Sequence, residues 1–340
     1  MRILACGAAG FIGSNWVLHR KATTTDHIIV VDKLSYAGTL DNLLPLKPGE
    51  DFDFIKCDIA SNPTLLNIMM READLCLNFA SNSHVDRSIS TPTSFTMNNI
   101  GLMQNVLEAC RSQEVPLVHI STDETVHHYP PTKMDYGFGN SPGSKNRWYH
   151  HRINEWPNDD GSNPCQAEFN PRSPYAASKA AQEMLCNGYK ETFGLPIDII
   201  RCVNNYGPRQ YPEKLLPLAI KSIAEGKPIP VYGKGEQWRD WLYVEDFCTA
   251  IDTVIKHRTG VDIWHVSAYN ETQNINLIKQ LINLAGGSFK FVEDRLGHDF
   301  SYSLDSSKIR RLGWTSRVSL EEGLKRTVEW YVRNSSSNHE

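Results

Sequence analysis

Two short clusters hold the residues able to do chemistry. In the run His119-Ile120-Ser121-Thr122-Asp123-Glu124, a buried apolar stretch from Pro116 to Ile120 ends in a hydroxyl and two adjacent carboxylates. At the carboxyl end of a strand in an open parallel sheet, such residues emerge into the ligand crevice. An acid and a base delivered side by side can work on neighbouring atoms of one substrate. Taken alone, the run also suits a strand-end turn or a helix N-cap. The second cluster is Ser173-Pro174-Tyr175-Ala176-Ala177-Ser178-Lys179, with Tyr175 and Lys179 four apart and so on one helix face. An ammonium beside a phenol favours the phenolate and makes Tyr175 a usable base toward a hydroxyl.

The elements that position these clusters begin at the N-terminus. Ile3 to Cys6 predicts a buried strand, Gly7-Ala8-Ala9-Gly10-Phe11-Ile12-Gly13 a glycine turn, and Ser14 onward a helix. This order lets the backbone approach a pyrophosphate that faces the helix N-terminus. A strand from His27 to Val31 ends at Asp32, whose carboxylate accepts from ribose hydroxyls and repels a 2′-phosphate, favouring NAD over NADP. Strands at Asp53 to Lys56 and Leu75 to Phe79 follow, with Asp58 and Ile59 expected to border the adenine. A helical pattern from Phe95 to Arg111 and a strand from Ile197 to Arg201 extend the alternation, and Ile263 to Val266 is expected to rejoin the sheet. The class is α/β, a doubly wound parallel sheet. The predicted cofactor set is Gly7, Gly10, Phe11, Ile12, Gly13, Asp32, Lys33, Asp58, Ile59, Ala80, Ser81, Tyr175 and Lys179.

With 40% hydrophobic and 22% charged residues and a net charge of −4, nothing marks a nucleic-acid or membrane surface. The first strand starts at once, no run is long enough to span a bilayer, and a cytoplasmic location is expected. Eight cysteines show neither C-x-x-C nor zinc spacing, so reduced thiols and no metal are expected. Residues 126–172 are irregular and too long for a plain connection, which predicts a lid or partly folded insertion carrying Trp148 and Trp156. The dinucleotide domain is expected over 1–203 plus about 239–268. A smaller α/β substrate domain takes 204–238 plus 269–333, and 334–340 forms a disordered tail. Lys214, Arg239 and Arg295 suit a diphosphate.

The glycine loop, Thr122 and the Y-x-x-x-K pair resemble the extended short-chain dehydrogenase/reductases, whose fold is the Rossmann type. Among them the chain is similar to the nucleotide-sugar 4,6-dehydratases. The motifs that carry this likeness are S-T-D-E at 121–124, S-H-V-D-R-S at 83–88, N-N-Y-G-P at 204–208 and P-E-K-L at 212–215. To these add Y-G-K-G at 232–235, R-D-W-L-Y-V-E-D at 239–246, G-H-D at 297–299 and L-G-W at 312–314. The resemblance implies that Tyr175, held by Lys179 and Thr122, takes the sugar 4-hydroxyl proton as hydride leaves C4 for NAD+. Glu124 then removes the C5 proton, Asp123 protonates the departing C6 hydroxyl, and hydride returns to C6, giving a 4-keto-6-deoxy sugar. It also implies substrate contacts from Ser83, Asn204, Lys214, Leu215, Pro230, Val231, Tyr232, Arg239, Arg295 and His298, and adds Asn205 to the cofactor set. A homodimer through the Tyr175 helix and the Phe95 to Arg111 helix is implied as well.

Four departures from the family pattern favour a UDP-sugar, UDP-glucose or UDP-N-acetylglucosamine, over dTDP-glucose, with 5-epimerisation open. They are Ala5-Cys6, Leu102-Met103, His265 and Thr125-Val126-His127. A UDP-sugar 4-epimerase or UDP-uronate decarboxylase shares the Thr, Tyr and Lys but has no work for Asp123 and Glu124. A non-catalytic NAD-sensing protein would not need the full set.

Overall fold

The computed structural model describes residues 1–126, 169–301 and 303–336. Trp148, Trp156 and the lid expected over most of 126–172 therefore lie outside the described residues. The first six strands are β1 (Arg2–Cys6), β2 (His27–Asp32), β3 (Asp53–Lys56), β4 (Leu75–Asn78), β5 (Leu117–Thr122) and β6 (Ile197–Cys202). Then come β7 (Asn204–Tyr206), β8 (Ile229–Tyr232), β9 (Trp238–Tyr243), β10 (Ile263–Val266), β11 (Glu271–Gln273) and β12 (Phe289–Val292). The main sheet runs β10-β6-β5-β4-β1-β2-β3 with every pair parallel. Strand order reverses around β1, so a crevice opens at the carboxyl ends there.

Helices cover both faces, as runs buried on two sides require. They are α1 (Phe11–Thr23), α2 (Pro63–Met70), α3 (Val85–Ser90), α4 (Pro92–Gln113), α5 (Pro174–Phe193), α6 (Leu215–Ala224), α7 (Val244–His257), α8 (Asn274–Ala285), α9 (Ser307–Arg311) and α10 (Leu320–Ser336). Alternate residues of the strands feed two cores. Val30, Leu77, Val118 and Ile120 pack with Trp16 and Phe247, while Leu4, Val31, Leu117 and Ile199 pack with Met103 and Val106. No helix among the described residues is long and apolar enough to cross a membrane.

Local chemistry sets the ends of α5, which carries half the site. Ser173 caps it by accepting the Ala176 N–H at 3.0 Å, Pro174 occupies its first turn, and Gly194 ends it in the left-handed region. Tyr175, Lys179 and Glu183 then fall at four-residue intervals on one buried face.

Several boundaries differ from the sequence reading, α4 among them, which runs from Pro92 to Gln113 rather than from Phe95 to Arg111. Helix α1 starts at Phe11 rather than Ser14, because Gly10 serves as its N-cap. Strand β5 runs to Thr122 rather than stopping at Ile120, so Ser121 stays inside the sheet. Helix α10 continues through Ser336, so Asn334 to Ser336, expected in the tail, are helical, and 337–340 lie outside the described residues. The R-D-W-L-Y stretch, β9, pairs with β7 and β11 in a separate three-stranded sheet, and β8 pairs with β12 in a two-stranded one. These sheets share a third apolar core with α6, α8 and α10, built from Leu216, Ile220, Trp241, Leu277 and Leu324.

Candidate active site

A crevice of about 290 Å³ lies over the carboxyl ends of the central strands. It is lined by every predicted cofactor residue, by Thr122, Asp123 and Glu124, and by Ser83, Asn204 and Lys214. The dinucleotide end fits the expected group. Gly10 gives α1 no side-chain cap, so N–H groups of its first turn remain for phosphate oxygens. Asp32 closes β2, accepting from the Ala9 and Leu34 N–H groups at 3.1 and 2.8 Å, which fixes the carboxylate expected to meet the ribose. Lys33 lies 3.5 Å from Asp58, the residue expected to border the adenine.

Gly7 has φ +74°, and a Cβ there would sit 2.5 Å from Ala80 Cα. Gly7→Ala is expected to cost about 1–3 kcal/mol of strain and to collapse NAD binding. A urea melt and an NAD titration check this; unchanged NAD affinity would count against the placement of the glycine turn.

Thr122 donates to Asp123 Oδ1 at 3.1 Å and hydrogen-bonds the Tyr175 phenol. Lys179 donates to the Ile120 carbonyl at 2.7 Å. The protein's own groups hold the Tyr175 phenol well above its ordinary value, through burial first and then the charge on Glu124, with Thr122 opposing.

The two carboxyls have different surroundings. Burial and then the Glu124 charge push Asp123 well above the usual carboxylate range, which suits a proton donor. Glu124 is raised too, by burial, but Arg295, Lys214 and Arg239 pull it back, which suits a base. Because folding raises the Asp123 pKa, stability falls as pH climbs above the unfolded value and levels off past the folded one. Asp123→Asn is therefore expected to stabilise the fold by about 1 kcal/mol at neutral pH, with the gain vanishing in acid. Urea midpoints at neutral and acidic pH test this; equal gains at both would refute it.

The remaining predicted substrate residues, Leu215, Pro230, Val231, Tyr232, Arg239, Arg295 and His298, are not among those lining this crevice. The side chains of Leu215 and Val231 pack into the third core. Tyr232 donates to Asp86 at 3.1 Å, Arg295 lies 3.9 Å from the same carboxylate, and the His298 ring stands edge-on to Tyr232. Arg239 donates to the Asp299 carbonyl at 2.9 Å. Lys214 bridges the two predicted groups by donating to the Ser83 carbonyl at 2.6 Å. His265, one of the departures from the family pattern, sits inside β10, 3.4 Å from Arg201, and is not among the residues lining the crevice.

Sequence reasoning missed two clusters. Glu213 accepts from Tyr36 and from Arg87, each at 3.0 Å, and the Arg87 guanidinium lies 3.9 Å from the Tyr36 ring centre, tying three distant segments across the crevice mouth. Beneath the site, Arg201 donates to Glu183 at 2.6 Å with side chains only 2% and 1% exposed. Ser121 and Thr125 also donate to Glu183. The signal for this pair was present: Glu183 follows Lys179 by four, and Arg201 interrupts an apolar strand.

Residues 3–270 match the NAD dependent epimerase/dehydratase family. The chain belongs to that family. It is 37% identical to dTDP-glucose 4,6-dehydratase 1 of Escherichia coli (strain K12), over 98% of this chain and 94% of the relative. A solved structure of DesIV, a dTDP-glucose 4,6-dehydratase from Streptomyces venezuelae with NAD and TYD bound, superposes with TM-score 0.85 at 37% identity, covering 99% and 98% of the two chains. UDP-glucuronic acid 4-epimerase from Bacillus cereus, with UDP-glucuronic acid and NAD, reaches TM-score 0.81 at 26% identity over 98% and 100%. The NAD dependent epimerase/dehydratase family thus accounts for the fold and the dinucleotide crevice, and the expected resemblance to nucleotide-sugar 4,6-dehydratases is met by relatives of that name.

Proposed function

We propose that this protein is an NAD-dependent nucleotide-sugar 4,6-dehydratase. The observation that carries this reading is the carboxyl pair at the end of β5, one held as an acid and the other drawn toward a base by three cations. When bound, NAD supplies a hydride acceptor and a positive ring beside the Tyr175 phenol. Tyr175, hydrogen-bonded to Thr122, takes the 4-hydroxyl proton. Glu124 removes the C5 proton, and Asp123 delivers its proton to the departing C6 oxygen. Lys214, Arg239 and Arg295, which all bear on Glu124, receive the diphosphate. An epimerase needs no such pair, so the 4-epimerase reading explains less of the site.

The departures that pointed to a UDP-sugar bear little on the sugar-nucleotide end. Ala5, Cys6 and Met103 are core residues, Leu102 lines the crevice, Thr125 bonds Glu183 and His265 is buried on β10 beside Arg201. His127 is outside the described residues. Relatives named for dTDP-glucose favour that sugar as the first to test. Exposed Met97, Met184 and Phe193 on α4 and α5 support pairing of two copies through these helices; sedentation of a monomer at micromolar concentration would rule that out.

The deciding experiment incubates the protein with dTDP-glucose, UDP-glucose and UDP-N-acetylglucosamine in D2O, followed by NMR and mass analysis. A 4-keto-6-deoxy product carrying deuterium at C5 is expected. Epimers or pentoses without dehydration would replace this reading.

A further inference from the structure

His119 opens the stretch that ends in the catalytic carboxyls, yet the reaction proposed above gives it no role. The side chain is fully buried on β5. Its Nδ1 lies 3.2 Å from the amide nitrogen of Asn78, and its Nε2 lies 3.4 Å from Lys179 Nζ. Asn78 cannot turn round, because its Oδ1 accepts the Ala80 N–H at 3.0 Å. A donor therefore faces Nδ1, which must be bare, and the ring proton belongs on Nε2. Gln182 is fixed on the other side, its amide donating to the Asn99 carbonyl at 2.7 Å. The remaining Gln182 oxygen is buried without a well-formed hydrogen bond and favours a protonated ring nitrogen on His119.

A ring wired in this way offers an ammonium no acceptor. Lys179 has three donors, of which one reaches the Ile120 carbonyl. On its other side Lys179 lines the crevice, where the remaining donors can be used. We propose that His119 is a positioning residue, a neutral imidazole locked with its proton on Nε2 by Asn78 and Gln182, which denies Lys179 a rearward acceptor and aims its ammonium at the cofactor. The catalytic part rests on the dehydratase reading; the tautomer does not.

The groups around Lys179 agree with this arrangement. Burial lowers Lys179 to about 8, against the charge of Glu183 on its own helix and the neighbouring Cys202 of β6 and Cys186 of α5. Arg201 stands behind Glu183, and Tyr175 lies one turn earlier on α5. Burial and then the Lys179 charge keep His119 well below its ordinary value.

The first test is imidazole nitrogen NMR of the whole protein between about pH 5 and 9, a range that spans the free histidine pKa. A bare Nδ1, a protonated Nε2 and no titration are expected; a proton on Nδ1, or a ring that titrates, overturns the proposal. The second test is the pH dependence of the first hydride transfer in single turnover. His119→Gln can accept from Asn78 and still present N–H toward Gln182, so it should keep the wild-type profile. His119→Leu frees the Gln182 oxygen to draw the ammonium back. Its basic limb should move up by about one pH unit and its rate should fall about tenfold. A Leu variant with the wild-type profile, or equal losses in both variants, overturns the proposal. If no sugar is turned over, the dehydratase reading falls while the nitrogen spectra still decide the tautomer.

Discussion

Glu124→Gln should leave NAD bound and the first oxidation running, while removal of the C5 proton slows by ~10²–10⁴-fold. The amide keeps the shape of the side chain and loses its affinity for a proton. Reduced cofactor should then accumulate during turnover, visible in the ultraviolet, and deuterium should enter C5 slowly. The wild-type acid limb follows from the same group. The Glu124 pKa is raised by burial, so base activity is lost as pH falls through that raised value, earlier than for an exposed glutamate. In the variant that limb should vanish. Wild-type exchange at C5 in Glu124→Gln would remove this residue from the mechanism.

The second large effect concerns stability. Glu183→Leu leaves the Arg201 guanidinium buried with its carboxylate partner gone. Breaking such a pair from one side costs roughly 3–5 kcal/mol, because one charge is left uncompensated in a low-dielectric interior. Replacing both, as Glu183→Leu with Arg201→Met, should restore most of the loss, since well-packed apolar groups can substitute for a buried pair. Urea unfolding of the two singles and the double forms a closed cycle. Additive losses in the double would show that the pair does not act as a unit. Ser121 and Thr125 also give their hydroxyls to Glu183, so the Leu variant should loosen the turn that carries Asp123 and Glu124.

Much of this was legible in the chain because it is local. The glycine turn, the Asp32 terminus and the Tyr175–Lys179 spacing each occupy a few consecutive residues, and a strand or helix period places them. The β11-β9-β7 sheet was not legible. The R-D-W-L-Y run reads as strand-like, but its partners come from Asn204–Tyr206 and Glu271–Gln273. The Tyr36–Arg87–Glu213 contact was hidden for the same reason, since nothing local announces which tyrosine meets which glutamate. The motif at Val231 reads as a contact position, whereas its side chain on β8 is buried in the third core, a burial that only the pairing of β8 with β12 and the packing of α6 and α8 create.

One junction beside the site has a consequence for redesign. Val126 bridges Phe169 in antiparallel fashion, and the Asn170 N–H donates to the Thr125 carbonyl at 3.2 Å. The chain thus leaves and re-enters at a single socket, one residue beyond the turn that holds the carboxyls. Whatever is spliced between those two points starts and finishes at neighbouring positions. Closing a flexible chain between two such fixed points costs only about 0.6 kcal/mol more for each doubling of its length. The socket therefore decouples the placement of Asp123 and Glu124 from the length of chain spliced into it, which makes it the natural point for insertion or exchange.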